Sequence, residues 1–142
     1  MESSERIKIT VQISVQAPID LVWKLWTSPE NIVNWYNASE DWHSPRAEND
    51  LRIGGKFMTR MEAKDGRFGF DFEGIYETVK TNELIEYVLA DERRIRIVFT
   101  GSDNETQITE TFDAEEINPI ELQQGGWQAI LNNFKKYVEE NI

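Results

Sequence analysis

Apolar and polar positions alternate strictly from Ile7 to Val15. Ile7, Ile9, Val11, Ile13 and Val15 fall on one face, and Lys8, Thr10, Gln12 and Ser14 on the other. A period of two with one apolar face predicts a half-buried strand. Ala17-Pro18 ends it, and Pro18 suits the first turn of a helix, with Asp20 set against the N-terminal dipole. Leu21, Val22, Leu25 and Trp26 then form a short apolar stripe with Trp23 beside it. Ser28-Pro29-Glu30 opens a second short helix whose apolar members are Ile32, Val33, Trp35 and Tyr36. Helices this short do not stand alone, so the pair is expected to form a V-shaped prop beside a sheet. Ala38 to Pro45 reads as an extended or looping piece containing Trp42 and His43.

Period two then returns and persists. Lys56 to Met61 places Phe57, Thr59 and Met61 on one face, and Asp65-Gly66 supplies a strong hairpin signal. In Phe68 to Val79 the residues Phe68, Phe70, Phe72, Gly74 and Tyr76 share a face. Leu84 to Leu89 follows, then Arg94 to Thr100, where Ile95, Ile97 and Phe99 oppose Arg94 and Arg96. In Thr106 to Phe112, Thr109 and Thr111 oppose Ile108 and Phe112. Tight turns join these runs, the pattern of an antiparallel meander.

Between Asn118 and Ile142 the period changes to that of a helix. Trp127, Ile130, Leu131, Phe134, Tyr137 and Val138 make one apolar face, while Gln128, Asn132, Asn133, Lys135, Lys136 and Glu139 fall opposite and can stay in water. Asn118-Pro119-Ile120-Glu121 predicts its start, with Asn118 as N-cap and proline in the first turn. The resulting expectation is one α+β domain over residues 1–142. It has a curved antiparallel sheet of six to seven strands, two short helices after the first strand, and one long C-terminal helix on the concave face. A helix that cannot fill a curved sheet leaves a cavity, and pockets for small molecules typically span ~300–1,000 Å³.

Composition narrows the function classes. With 142 residues and 39% hydrophobic content the chain can bury one proper core. It has no cysteine, hence no disulfide, thiolate metal site or thiol nucleophile. A net charge of -11 argues against nucleic acid, whose phosphates need clustered Lys or Arg, and against anionic membranes. No run approaches a membrane span, and Met1-Glu2-Ser3-Ser4-Glu5 does not resemble a signal peptide, so a cytoplasmic monomer is expected. Five tryptophans and seven phenylalanines are a heavy aromatic load, divided between plain core and pocket wall.

The candidate ligand contacts are the inward side chains. From the long helix these are Trp127, Ile130, Leu131 and Phe134. From the sheet they are Phe57, Met61, Phe70, Phe72, Tyr76, Tyr87 and Phe99. Trp23, Trp26, Trp35 and Trp42 join them from the segment between the first two strands. Tyr76, Tyr87, His43 or an arginine are the groups available to orient a polar end. His43 is the only histidine, and a lone histidine in a loop is more often structural than catalytic. No serine lies in a nucleophile elbow, the carboxylates are scattered, and Gly54-Gly55 precedes a strand rather than opening a helix. No metal, cofactor or catalytic residue is therefore expected. Gly125-Gly126 within the helix serves close packing against a strand, opposite Gly74, or a small kink, or else room for a ligand at the cavity mouth. Of the basic cluster Arg93, Arg94 and Arg96, the last two alternate away from Ile95 and Ile97 toward water or acidic neighbours. In the opposite register an inward arginine would grip a ligand carboxylate.

Several pieces in order resemble one family. They are Ala17-Pro18, Val22-Trp23, Thr27-Ser28-Pro29-Glu30, Trp35, Gly54-Gly55-Lys56-Phe57, Phe72-Glu73-Gly74-Ile75-Tyr76, Glu83-Leu84-Ile85-Glu86-Tyr87 and Gly126-Trp127-Gln128-Ala129-Ile130-Leu131. Together they resemble the activator-of-Hsp90-ATPase-homologue branch of the START-like superfamily, which also contains the birch-pollen-allergen-like proteins. The resemblance implies a helix-grip fold with a hydrophobic pocket between long helix and sheet. The chain departs from the family pattern at Tyr36, where tryptophan is common, and at Phe134, where leucine is common. The functional expectation is binding of a small hydrophobic or amphipathic molecule, lipid-like or aromatic. The alternatives the resemblance implies are cyclase- or hydrolase-like chemistry in the same pocket, or association with a chaperone partner.

Overall fold

The computed structural model of the chain describes residues 6–141. The N-terminal pentapeptide and Ile142, both part of the sequence expectations, lie outside them. The elements run β1 (Lys8–Val15), α1 (Ile19–Thr27), α2 (Pro29–Ile32), β2 (Trp42–Asn49), β3 (Lys56–Ala63), β4 (Gly69–Lys80), β5 (Leu84–Leu89), β6 (Arg94–Ser102), β7 (Glu105–Asp113) and α3 (Ile120–Glu140). The strands form one seven-stranded sheet in the order β1-β7-β6-β5-β4-β3-β2, every neighbouring pair antiparallel. The result is an α+β helix-grip fold, a curled half-barrel closed on its concave side by helices.

The topology follows from the pattern. Strands β2 to β7 meander in sequence order, and β1 pairs with β7, so the chain must cross from one sheet edge to the other between β1 and β2. That crossing is α1 and α2. Of the piece expected to be extended or looping between Ala38 and Pro45, the part from Trp42 is extended and begins β2, an edge strand whose register slips between His43 and Arg46. Ser44-Pro45 sits at that irregularity, where an edge tolerates proline, and the Ser44 hydroxyl donates to the Tyr36 carbonyl. Ile7 precedes the β1–β7 ladder and is exposed rather than core. Gly66, at φ +81°, forms the β3–β4 turn that Asp65-Gly66 predicts. Gly74 is demanded by contact: a Cβ there would lie 2.8 Å from the Val88 carbonyl oxygen and 2.9 Å from the Phe57 ring.

Helix α3 buries Leu131, Phe134 and Val138 completely. Phe134 meets Trp26 and Trp35 edge-on at 4.9 and 4.6 Å between centroids, and Trp127 stacks on Phe112 at 3.9 Å. Burial of each such side chain contributes about 1.5–3 kcal/mol, enough to hold a helix that carries two glycines. Its start differs from expectation. Pro119 occupies the N-cap and no side chain caps the helix; the Asn118 side chain instead donates to Glu115. Its polar flank is also less free than the period suggests. Gln124, Gln128 and Lys135 donate to the carbonyls of Thr10, Gln12 and Ser14, and Glu139 accepts from the Gln16 amide. Those carbonyls line the outer edge of β1, so α3 covers an edge strand that would otherwise invite pairing with another chain. Among the described residues no helix is long and apolar enough to cross a membrane.

Candidate functional site

Two cavities open on the concave side, and Tyr36 belongs to the wall of both. The inner one encloses about 50 Å³. Trp26, Ile32, Trp35 and Tyr36 form its roof, Asn49, Phe57 and Thr59 one side, and Tyr76, Ile85, Tyr87, Ile97 and Glu110 its floor, with exposed Glu48 at the mouth. The outer cavity encloses about 350 Å³. Met61, Phe70 and Phe72 face Leu122, Gly126, Trp127 and Ile130 of α3 across it, and Arg93, Glu115 and Asn118 complete it. A single cavity beneath α3 is the sequence expectation. The structure divides that space, and α1, α2 and the turn after them, not α3, roof the inner part.

The expected contacts divide accordingly. Trp26, Trp35, Phe57, Tyr76 and Tyr87 line the inner cavity, and Met61, Phe70, Phe72, Trp127 and Ile130 the outer one. Trp23, Phe99, Leu131 and Phe134 are buried in the core, with Trp23 and Trp26 both edge-on to Phe99. Trp42 is half-buried against Phe70, 6.1 Å between centroids, and borders neither cavity. His43, a candidate for orienting a ligand, lies on exposed edge strand β2, its Nε2 3.7 Å from a Glu62 carboxylate oxygen. Arg94 and Arg96 point outward and pair with Glu77 and Glu86. Gly125 and Gly126 have open space where a Cβ would stand. Close packing against a strand is therefore not their reason, and Gly126 lines the outer cavity.

Two chemically important residues escape the sequence reading, and a third, Arg93, appears there only as a member of a basic cluster. Glu110 sits on β7 opposite Val11 of β1 and Ile97 of β6, and only 4% of it is exposed. Among the described residues its carboxyl makes no hydrogen bond, and burial pushes its pKa up to about 8. The signal was present: in Ile108-Thr109-Glu110-Thr111-Phe112, position 110 falls in phase with the two apolar residues. The phenols around it respond to the same environment. Burial, followed by the charge of Glu110, holds Tyr36 above its ordinary range, and burial likewise raises Tyr87 and Tyr76. Asn49 is the second. Its side chain accepts from the Tyr76 hydroxyl at 2.6 Å and donates to the Thr27 carbonyl at 2.6 Å, tying β2 to β4 and to the end of α1.

The third is Arg93, in the turn before β6. Its side chain is 20% exposed, and its Nε donates to Asp91 at 2.7 Å. Among the described residues its two terminal nitrogens have no hydrogen-bond partner, and the residue lines the outer cavity. The nearby Glu115 carboxylate is already occupied, accepting from the amides of Ile117 and Asn118 and from the Asn118 side chain. Buried Gln123 fastens that loop to α3 by donating to the carbonyls of Glu115 and Asn118 and accepting from the Glu115 amide. The outer cavity is thus an apolar trough with one guanidinium at its end.

The comparisons with known proteins agree with this architecture. The family model described as activator of Hsp90 ATPase homolog 1-like protein matches residues 16–139. An AHSA1-like protein from Aeromonas hydrophila, solved in solution, is 40% identical, with 95% of this chain and 94% of that one covered and a TM-score of 0.88. A solution structure from Cytophaga hutchinsonii is 57% identical over 94% and 93% of the two chains, with a TM-score of 0.82. A crystal structure from Nitrosomonas europaea shares the fold at 18% identity and a TM-score of 0.80. No curated protein matches the chain.

Proposed function

The chain belongs to the activator of Hsp90 ATPase homolog 1-like family, and from that premise we propose that it binds a small amphipathic molecule in the outer cavity. The observation that carries this reading is the trough itself. It offers about 350 Å³, inside the usual size range for ligand pockets, between Phe70 and Phe72 on one side and Trp127 and Ile130 on the other. Gly126 keeps the trough open at a cost to the helix of about 1 kcal/mol relative to alanine. Apolar burial supplies the affinity, and Arg93, with two unsatisfied donor groups, recognises a carboxylate or similar anionic end. Octanoate tests this. Amide titration is expected to show saturable shifts at Gly126, Trp127, Ile130 and Phe70 and at the Arg93 side chain, abolished in Gly126→Leu. Absence of saturable shifts along this set would refute the assignment.

Cyclase- or hydrolase-like chemistry is favoured by one observation, the buried carboxyl of Glu110. Such chemistry needs a reacting group and its attacking partner together beside the acid or base, and the inner cavity is too small for both. A chaperone partner is what the family description brings to mind, and co-purification with an Hsp90 chaperone is its direct test. The geometry supports ligand binding best.

A further inference from the structure

We propose that the inner cavity is a second, separate site that binds a small organic cation, an alkylammonium head of three to five heavy atoms, on the carboxylate of Glu110. The argument begins with the residues. The lining contains two carboxyl groups, Glu110 on the floor and Glu48 at the mouth, and no Lys, Arg or His. The walls are aromatic. Phe57 and Tyr87 stand 4.5 Å apart between centroids, Phe57 and Tyr76 5.3 Å, and Trp35 lies 4.9 Å from Trp26 and 5.3 Å from Tyr36. Ring faces carry negative potential and attract ammonium ions, and cages of such rings are a recurring means of holding methylated amines.

Glu110 supplies the second, independent observation. A buried carboxyl group without a hydrogen-bond partner is rare and costly. Of the other polar side chains in the lining, Tyr76 and Asn49 bond one another, and Asn49 also bonds the Thr27 carbonyl. Glu110 is the buried acid of this lining, 4% exposed, and a cation would complete it. The enclosed volume of about 50 Å³ corresponds to roughly three to four water-sized groups, which admits a methylated ammonium and excludes a long chain. An inorganic divalent ion fits poorly, since it needs about six oxygen ligands; among the described residues no group of three His, Cys, Asp or Glu side chains could hold one. The net charge of -11 draws cations toward the molecule.

The titratable groups facing Glu110 are Tyr36 from the turn after α2, Tyr76 from β4 and Tyr87 from β5, with Glu48 of β2 at the mouth. The phenols stay neutral through the accessible range because burial raises each of them. Binding therefore follows the ionised fraction of Glu110. For a carboxyl group titrating at about 8, that fraction rises about fifty-fold between pH 6 and pH 8.

Trimethylammonium, protonated throughout this range, is the probe. In amide titrations it is expected to give saturable shifts at Glu110, Tyr87, Ile97 and Thr59, with affinity rising about fifty-fold from pH 6 to pH 8. The variant Glu110→Gln, isosteric and uncharged, should lose both the binding and its pH dependence while keeping a wild-type spectrum elsewhere. Gly126→Leu, which closes the outer cavity, should leave them intact. Equal binding of tert-butanol, the same response to potassium ions, affinity that falls with rising pH, or no saturable shift at any pH would each overturn the assignment.

Discussion

Replacing Glu110 by glutamine should stabilise the protein, and by an amount that depends on pH. The carboxyl group titrates near 4.5 when exposed and at about 8 in the fold, because burial disfavours its charged form. Between those values the unfolded chain has lost the proton and the folded chain keeps it. The folded state then binds more protons, so stability falls as pH rises from about 4.5 to about 8 and is level above that. Each unit costs about 1.4 kcal/mol. At pH 7, two and a half units above the exposed value, the wild-type protein is therefore weakened by about 3 kcal/mol, a large share of the total stability of a domain this size. Glutamine keeps the shape and removes the titration.

Urea unfolding followed by tryptophan fluorescence at a series of pH values measures the difference directly. Other shifted carboxylates act in the opposite sense: Asp113 is lowered chiefly through Lys8 and the Arg94 amide against the opposing effect of its burial. They are common to both proteins and distant titrations cancel in the difference. The expected gap is nearly constant below about pH 4.5, widens steadily to about pH 8, then levels. A gap that does not change with pH would show that Glu110 titrates as an ordinary carboxylate, and the account of the inner cavity would fail with it.

Two further predictions concern glycines. Gly125→Ala and Gly126→Ala should each raise stability by about 1 kcal/mol, read from the unfolding midpoint, since a methyl group meets nothing within 4 Å at either position. Of the two, only Gly126→Ala should weaken octanoate binding. Gly74→Ala should lower stability by about 1–3 kcal/mol, because the added carbon would stand 2.8 Å from the Val88 carbonyl oxygen and 2.9 Å from the Phe57 ring. A companion Phe57→Leu exchange should recover part of that loss.

The fold was readable in the sequence where one pattern determined one outcome. Alternation from Ile9 to Val15, the Asp65-Gly66 turn and the apolar stripe from Trp127 to Val138 each specify an element, and the structure contains all three. The N-cap of α3 was not readable, because the Asn118 side chain turns back into its own loop, where its amide donates to Glu115 three residues earlier. Nor was the edge cover of β1. Gln128 and Lys135 look like a solvated face until a strand edge with unpaired carbonyls is brought beside them. The site shows the same division. Aromatic positions could be assigned to the concave side by period, but cavity and core differ by a few ångströms of packing, which sequence spacing does not encode. Phe134 and Trp127 occupy the same helical face, yet Phe134 fills space between Trp26 and Trp35 while Trp127 borders the outer trough. The charged members differ: Arg93 was named but not singled out from its cluster, and Glu110 was overlooked. Arg93 lies in a turn, where period has no meaning. Glu110 lies in a strand, where its phase with Ile108 and Phe112 contradicts its charge. A charged residue on the apolar phase of a strand paired on both sides is a local conflict, and such conflicts are retained where function compensates for lost stability.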